Sequence, residues 1–407
     1  MTSFPSARVR DALPWLVVVG IVLVAFNLRG PIVAPALVVG QIQDEVGLST
    51  TVAGLITGLP VLFFALATPL ATSLIRRVGP ELAVVTGLLG VLLGTAVRSA
   101  GGAATVLIGT AIIGVAITVG NIVVPVIIRR DVPWRHASAV TGTYTAALNV
   151  GSMITSLGTA PLAAAVGWRW ALLAWGGFAV VGMAFWLLLT RRRRAAAGTA
   201  SAEEPAQPAP GTVSRIGWWL VLAFAGQAFS YYAVTAWLPT LLADGPGLDR
   251  SAAGAISAVF QVAAVVGAFG VPVLATRTPP WVPFAAVGLL WSALPVGLLA
   301  APEAYVLWSF VGGVAQGGGF TAIFSIIARV TRTDRETASI SARVQTGGYL
   351  AATLGPPVAG ALYSATGGWT ASLLVVLAAT ILYSAGGILA ARLVPRRPGG
   401  GLGEVPG

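Results

Sequence analysis

A single arginine, Arg29, interrupts an apolar run that is long enough to cross a bilayer, PWLVVVGIVLVAFNLRGPIVAPALVVG at residues 14–40. A charge at that depth costs at least about 2.5 kcal/mol on insertion scales, so the side chain must face packed protein or water. Gly30, Pro31 and Pro35 weaken the helix beside it, which is tolerated where the backbone lines protein or a cavity. We therefore predict that Arg29 faces a central cavity. The alternative is an arginine that reaches the outer interface, about 22 Å along the run at about 1.5 Å per residue.

The composition is that of an integral membrane protein. Hydrophobic residues make up 56% of the 407 residues and charged residues 9%, against about 25% charged in an ordinary soluble domain. Mean hydropathy is +0.87. The absence of cysteine excludes disulfides and thiolate metal sites, and we expect no cofactor. The basic N-terminus precedes an apolar run too long for a signal peptide, which predicts an uncleaved first span.

Twelve apolar runs of about 18 residues or more form two sets of six. The first set covers residues 13–37, 50–73, 81–99, 103–128, 137–164 and 169–190, and the second covers residues 216–242, 251–275, 281–301, 303–328, 337–364 and 369–393. Residues 191–215 are charged and rich in Ala, Pro and Ser without an apolar face, which predicts a disordered linker. The predicted domains are a six-helix bundle at 1–190, this linker, a second bundle at 216–394 and a tail at 395–407.

All 24 basic residues are arginines, and their distribution predicts the orientation. With both termini inside, nineteen of them fall in inner segments, namely Arg8, Arg10, Arg76, Arg77, Arg129, Arg130, Arg135, Arg191, Arg192, Arg193, Arg194, Arg215, Arg277, Arg329, Arg332, Arg335, Arg392, Arg396 and Arg397. Outer loops are predicted to hold Arg98, Arg169 and Arg250. The positive-inside rule then predicts cytoplasmic termini and linker in the plasma (inner) membrane. This orientation explains the net charge of +11 better than a nucleic-acid partner, which we do not expect.

The two sets of spans repeat each other. Gly47-Leu48-Ser49 with Ala53-Gly54 recurs 200 residues later as Gly247-Leu248-Asp249 with Ala253-Gly254, each at the start of a helix. Residues 161–173, PLAAAVGWRWALL, are echoed at residues 359–374, AGALYSATGGWTASLL, so that Trp168 and Trp369 mark the same outer interface. Chance similarity of apolar sequences is the alternative. Two matches in register favour parallel repeats, which are typical of one large class of secondary transporters.

These stretches make the sequence resemble the major facilitator superfamily and, within it, the cyanate and nitroimidazole transporter family. The resemblance is carried by Asn27-Leu28-Arg29-Gly30-Pro31, by residues 47–79, by GNIVVPVIIRRDVP at 120–133 and by GWRWALLAW at 167–175. It implies an all-α membrane protein with twelve transmembrane helices in two pseudo-symmetric six-helix bundles, the major facilitator fold. One departure is Thr72, which stands where the superfamily has an acid in the motif between spans 2 and 3. A charge latch between the halves is therefore expected to be weaker or built differently.

The ionisable residues leave the membrane core without a counter-ion for arginine. All 13 acids fall in predicted loops, tails or helix ends. The single histidine, His136, lies in an inner segment, where an ordinary solvated residue is favoured over a pH sensor. The cavity would then hold Arg29 from span 1 and Arg343 from span 11. An arginine fork can bind a small planar anion through two parallel hydrogen bonds. For Arg343 the alternative is a side chain that extends to the inner interface.

Uncharged polar residues complete the predicted substrate site. Asn27 or Asn121 would fix the geometry of the anion at Arg29. The resemblance implies that spans 1, 4, 7 and 10 line the central path, which favours the following residues: Asn121, Gln227, Tyr231 and Gln316. Further candidates are Tyr232 of span 7, Gln261 of span 8, and Gln345 and Tyr349 of span 11. Buried amides also commonly bond a neighbouring helix, which is the alternative for each of them.

Taken together, these features predict a secondary or facilitative transporter of a small anion, cyanate-like or a small organic anion, that works by alternating access as a monomer. The first alternative is an exporter of nitroimidazole-like or other drugs. The alternative from another class is a membrane-embedded enzyme or receptor. We expect no enzyme, because the spans carry no acid, histidine or cysteine for acid–base or metal chemistry and no nucleotide-binding motif occurs.

Overall fold

The structure is a computed structural model that describes residues 14–48, 50–196, 210–244, 248 and 250–394. Within these ranges the regular elements are helices, and no strand occurs. The α-helices are α1 Trp15–Ala36, α2 Val39–Val46, α3 Thr50–Leu66, α4 Thr68–Val78, α5 Pro80–Ser99, α6 Ala103–Asp131, α7 Trp134–Ala174, α8 Gly176–Ala196, α9 Pro210–Asp244, α10 Arg250–Arg277, α11 Val282–Ala300, α12 Tyr305–Val330, α13 Asp334–Thr366 and α14 Thr370–Arg392. A 3₁₀ turn at Pro302–Ala304 precedes α12.

These helices account for the twelve predicted spans. Nine helical segments of the described chain are long and apolar enough to cross a membrane, and α3 with α4 makes a tenth, bent by 58°. One of the nine, Trp134–Arg193, has 60 residues, enough for two spans. It divides at Gly167, whose φ of 81° and ψ of 156° break the helix. The remaining span is the more polar α13, with 33 residues.

The helices fall into two halves, α1–α8 and α9–α14. Helix α8 continues to Ala196 and α9 begins at Pro210, so helix extends into both ends of the predicted linker at 191–215. Residues 197–209 of that linker lie outside the described residues, as do residues 1–13 and the predicted tail at 395–407. We call the end of the bundle where α1 begins and α14 ends the arginine-rich end.

Arg98 corrects one prediction. The sequence places it in an outer loop, but it lies in the last turn of α5 with 1% of its surface exposed. Its Nη1 donates a hydrogen bond of 2.7 Å to the carbonyl of Pro31 in α1. An apolar run ending in a single arginine does not tell whether that arginine leaves the helix or turns back into the bundle. Arg98 turns back into the bundle because the neighbouring helix α1 offers a carbonyl acceptor.

The two halves meet from the middle of the bundle to the arginine-rich end. Near the middle, the hydroxyl of Thr321 in α12 donates to the hydroxyl of Thr145 in α7 at 3.0 Å. At the arginine-rich end, Arg129 of α6 pairs with Asp334 of α13 and also donates to the carbonyl of Arg332. Thr72 takes no part in this pair, since its hydroxyl bonds the carbonyl of Thr68 in its own helix. Among the described residues an ionic contact therefore joins the halves, and Thr72 is not part of it.

At the opposite end, each half joins an indole to a carboxylate in an equivalent place. Trp168 donates from Nε1 to Glu45, which also pairs with Arg169. In the second half Trp369 donates to Asp244 at 3.1 Å, and the hydroxyl of Tyr363 reaches the same carboxylate at 3.1 Å. The internal repeat read from the sequence therefore extends to matching side-chain contacts.

The carboxylate of Glu45 provides a pH-dependent prediction. The hydrogen bond from Trp168 and the charge of Arg169 hold the pKa of Glu45 below its ordinary value. Because the pKa is lower in the folded than in the unfolded state, this contact stabilises above the unfolded pKa, and the effect is lost as pH falls through the folded pKa. The Tm difference between the parent and Glu45→Gln should therefore be largest near neutral pH and shrink on acidification. Glu303→Gln, at an exposed acid, is the control, and an equal pH trend there would contradict the assignment.

Candidate functional site

A cavity lies between the two halves in the middle of the bundle. Its volume available to the centres of water molecules is about 50 Å³. Both halves contribute to its wall, which consists of Leu28, Arg29, Ile32, Phe64, Asn121, Leu148, Phe224, Gln227, Ala228, Tyr231, Tyr232, Gln316, Phe320 and Tyr349. Among these lining residues Arg29 is the one that carries a charge. The wall is otherwise aromatic, aliphatic and amide in character.

Arg29 is held by neutral partners from both halves. Its Nη1 donates to Oδ1 of Asn149 in α7 at 2.9 Å and approaches the hydroxyl of Tyr231 in α9 at 3.4 Å. The guanidinium carbon also lies 5.1 Å from the centre of the Tyr231 ring, within the range of a cation–π contact. Asn149 in turn donates its Nδ2 to the carbonyl of Thr145 at 2.8 Å, which orients its oxygen toward Arg29. The charge is thus solvated by dipoles, and no carboxylate among the described residues pairs with it.

Close packing of α1 on α7 brings Arg29 and Asn149 together. A Cβ added at Gly30 would lie 2.8 Å from Cγ2 of Thr155, and one added at Gly151 would lie 2.8 Å from Cα of Phe26. These two glycines lie next to the arginine and near the asparagine, so they let the helix backbones approach where the side chains bond. Small residues are the usual means of close helix contact in membranes.

Asn121 connects the wall of the cavity to the contact between the halves. Its side-chain amide makes long contacts of 3.4 Å with the hydroxyls of Tyr349 and Tyr144. Its backbone carbonyl accepts a 3.0 Å hydrogen bond from Nε2 of Gln345 in α13. That carbonyl has no helical donor four residues on, because Pro125 lacks an N–H. Gln345 therefore satisfies a carbonyl that the proline leaves free.

Two glutamine oxygens are buried at the cavity without a donor among the described residues. Nε2 of Gln227 donates to the backbone carbonyl of Gln316 at 2.8 Å, which leaves Oε1 of Gln227 unpaired. Oε1 of Gln316 is likewise buried and unpaired. A buried acceptor without a donor costs about 1–3 kcal/mol. This side of the cavity therefore suits a bound group that donates hydrogen bonds.

Five of the eight predicted site residues line this cavity: Arg29, Asn121, Gln227, Tyr231 and Gln316. Gln345 does not line it but bonds the backbone of Asn121, as described above. Asn27 is buried and donates to the carbonyl of Leu23 at 2.8 Å. Residues two apart on a helix do not share a face, so Asn27 points away from the group that Arg29 would hold. A direct role for Asn27 beside Arg29 is therefore not supported by this arrangement.

Arg343 also lies away from the cavity. Its guanidinium carbon is 5.4 Å from the ring centre of Trp218, a residue near the start of α9. Trp218 has 59% of its surface exposed. The side chain thus extends toward the arginine-rich end, which agrees with the alternative of an arginine that reaches the inner interface. The cavity wall has one arginine where the sequence predicts two.

Asn149 lies outside the predicted set, because the sequence analysis takes no candidate from span 5. The available signal was a lone amide in the apolar stretch around residue 149 of span 5. Tyr232 and Tyr349, which are among the further candidates, also line the cavity. Among the described residues no cluster of three or more His, Cys, Asp or Glu could hold a metal ion.

Comparisons with known proteins agree with this architecture. The sequence profile of the Major Facilitator Superfamily matches residues 17–303 and 282–406. The chain is 32% identical over 357 residues to a protein of Bacillus subtilis (strain 168) named uncharacterized transporter YycB, covering 86% of this chain and 87% of that protein. It is 29% identical over 352 residues to the 2-nitroimidazole transporter of Escherichia coli (strain K12), covering 86% of this chain and 88% of that protein. It is 24% identical over 347 residues to the cyanate transport protein CynX of the same organism, covering 84% and 89%.

Among solved structures, the chain is similar to the transporter FucP in its outward conformation, with a TM-score of 0.73 and 16% identity over 93% of this chain and 98% of that one. At this identity the likeness concerns the fold. The profile match over most of the chain, the relatives named as transporters and the two six-helix halves around a central cavity agree with one another. The chain therefore belongs to the Major Facilitator Superfamily of transporters.

Proposed function

We propose that this protein moves a small anion, cyanate-like or a small organic anion, across the membrane by alternating access. The observation that carries the proposal is Arg29, the one charged residue among the lining residues of the central cavity. Its partners Asn149 and Tyr231 are neutral and leave its positive charge without a compensating negative charge. An anion that enters the cavity would supply the missing negative charge. Its attraction to Arg29 would be strong there, because buried surroundings screen charges less than water does.

The size of the cavity supports a small anion. A cavity of about 150 Å³ binds benzene, which has six heavy atoms, so a cavity of about 50 Å³ suits a smaller group. Cyanate has three heavy atoms. The planar guanidinium and the hydroxyls of Tyr231, Tyr232 and Tyr349 would donate hydrogen bonds to it. The similarity to a protein named cyanate transport protein supports the same class.

The contacts between the halves support the assignment of this structure to the outward-facing state of the alternating cycle. They extend from the cavity to the arginine-rich end, where Arg129 and Asp334 pair. By the positive-inside rule that end faces the cytoplasm, with both termini, in the plasma membrane. The cavity would then be reached from outside in this state. Separation of Arg129 from Asp334 would accompany the change to the inward-facing state.

The experiment that tests the function is transport in proteoliposomes without nucleotide, with the protein as a monomer at low density. Labelled cyanate should exchange across the membrane when unlabelled cyanate is present on the other side. Protein-free liposomes and liposomes with Arg29→Ala protein are the controls. Flux equal to that of both controls, for cyanate and for small carboxylates such as formate, would contradict the proposal.

The orientation gives a separate prediction. Reporter domains fused at residue 200 of the linker and at the C-terminus should both be active only as cytoplasmic reporters, because nineteen of the 24 arginines fall in the predicted inner segments, which include these two. A reporter fused after Asp244, between α9 and α10, should be active only outside the cell. A periplasmic signal from either of the first two fusions would contradict the orientation.

The second candidate function is export of a nitroimidazole-like compound. It is favoured by the unpaired oxygens of Gln227 and Gln316, which would accept hydrogen bonds from a ring N–H. The aromatic rings of Phe224, Phe320 and Tyr349 in the wall suit a flat ligand. The similarity to the protein named 2-nitroimidazole transporter supports it as well. Such a ligand is larger than benzene, which needs a cavity of about 150 Å³, so the wall would have to open to admit it.

Gln316→Met separates the two candidates. The bond from Gln227 goes to the backbone of residue 316, so the substitution removes the side-chain acceptor and leaves that bond in place. Binding of 2-nitroimidazole should weaken about tenfold, the effect of about 1.4 kcal/mol. Cyanate binding should change less than twofold. Calorimetric titration of both ligands, with the parent as reference, gives the comparison, and equal weakening of both would rule out a distinct acceptor role for Gln316.

A further inference from the structure

Arg98 is a buried charge that the cavity does not use. It lies in α5 with 1% of its surface exposed, and no carboxylate among the described residues pairs with it. Its Nε is buried without an acceptor in the same part of the chain. Packing fixes its backbone, because a Cβ added at Gly109 of α6 would lie too close to the backbone nitrogen of Arg98 for any side chain to fit. An apolar side chain would avoid the cost of burying the charge, so an arginine at this position calls for a specific bonding role.

The acceptor of Arg98 is a carbonyl that lacks its helical partner. In an α-helix the carbonyl of Pro31 would accept from the N–H of residue 35, and residue 35 is a proline without one. Nη1 of Arg98 takes its place at 2.7 Å. A freed carbonyl in a membrane helix has to be satisfied by a neighbouring helix, since hydrocarbon offers no donor. The arginine therefore holds α1 at the point where the backbone hydrogen bonds of that helix are interrupted.

The chain satisfies another proline-freed carbonyl in the same way. Pro125 leaves the carbonyl of Asn121 free, and Gln345 donates to it at 3.0 Å. Both freed carbonyls lie close in sequence to a cavity residue: Asn121 lines the cavity itself, and Pro31 follows Arg29 by two residues. The neighbouring donor thus determines the course of the backbone beside the site.

We propose that Arg98 is the positioning residue for Arg29: its bond to Pro31 sets the course of the α1 backbone that turns the Arg29 guanidinium into the cavity. The inference rests on the proposed function only for the consequence on anion binding. The position of the α1 backbone is a property of the chain and can be measured without an anion. Because the donor replaces a missing N–H, restoring that N–H with Pro35→Ala should make Arg98 unnecessary for holding the backbone.

The chain has no cysteine, so single cysteines can report the position of α1. Ile32→Cys lies on the cavity wall one turn after Arg29, and Thr235→Cys is at an exposed position on α9 of the other half. Each is combined with Arg98→Met, with Pro35→Ala and with both, and its rate of labelling by a small charged methanethiosulfonate is measured in membranes. Arg98→Met should change the rate at position 32 several-fold and leave the rate at position 235 unchanged. Adding Pro35→Ala should return the rate at position 32 toward the parent value.

Three outcomes would overturn the inference: an unchanged rate at position 32, equal changes at both positions, or no recovery with Pro35→Ala. In a second arm, without the cysteines, Arg98→Met should weaken cyanate binding about tenfold, and Arg98→Lys, which keeps a donor, should weaken it less. Arg98→Met protein that binds cyanate as tightly as the parent would overturn the positioning role. If the parent binds no anion but the labelling rates at position 32 change as expected, the proposed function fails and the effect of Arg98 on the α1 backbone stands.

Discussion

Arg29→Ala should abolish binding of the small anion, and Arg29→Lys should weaken it by about 1–3 kcal/mol, the range for charge-assisted hydrogen bonds. Lysine keeps the charge but loses the planar fork that donates two parallel bonds. It also loses the geometry that allows one side chain to reach Asn149 and stack on Tyr231. The protein should still insert, because removing an intramembrane charge lowers the cost of insertion.

The measurement is cyanate affinity of the purified parent, Arg29→Lys and Arg29→Ala proteins in detergent, by calorimetry or by ligand-dependent Tm. Arg343→Ala is the matched control, because this arginine also lies within a span but contacts Trp218 rather than the cavity. Its affinity should equal that of the parent. Unchanged affinity in both Arg29 variants would mean that the charge serves the fold, and the anion would then have to bind elsewhere.

Gly142→Val should prevent the halves from closing at the arginine-rich end and should stop transport. Gly142 lies in α7 of the first half, and a Cβ there would collide with the carbonyl of Ala268 in α10 and lie 3.0 Å from Cγ of Pro272. The colliding group is backbone of the other half, so a rotamer change cannot relieve the contact. Overpacking of this kind costs about 1–3 kcal/mol, which shifts a two-state equilibrium by roughly 5–150-fold.

Accessibility of a cysteine placed at Ser325 measures this shift. Ser325 is half-buried and donates a 3.2 Å hydrogen bond to Ser138 across the halves, so separation of the halves should expose it further. Ser325→Cys should be labelled faster in Gly142→Val protein than in the parent, while the Tm falls little. Gly270→Val is the matched control, because a Cβ at this glycine of α10 meets nothing within 4 Å. Equal labelling in the Gly142→Val and Gly270→Val backgrounds would show that the close contact does not control closure.

The fold was predictable from the sequence because each part of the prediction uses a property that is local in the chain. Long apolar runs must become helices in a bilayer, since hydrocarbon leaves backbone groups no other partner. The repeat at residues 47 and 247 and the linker between the halves then favour six helices plus six, and the resemblance to the superfamily is confirmed by the profile match. The isolated charge of Arg29 could be identified for the same reason, since a lone arginine in an apolar span needs a polar environment wherever its partners lie.

The partners themselves were decided by the tertiary structure. Whether an arginine faces the cavity depends on which helices pack beside it: Arg29 meets Asn149 from 120 residues away, whereas Arg343 stacks on Trp218. Arg98 turns inward because Pro35 frees a carbonyl in another helix, a relation between α1 and α5 that no local pattern contains. The free energy of inserting a span into a bilayer depends on that span alone, so the number of spans and their apolar character can be predicted from the sequence. Contacts between spans arise from packing of distant segments, and only the assembled bundle determines them.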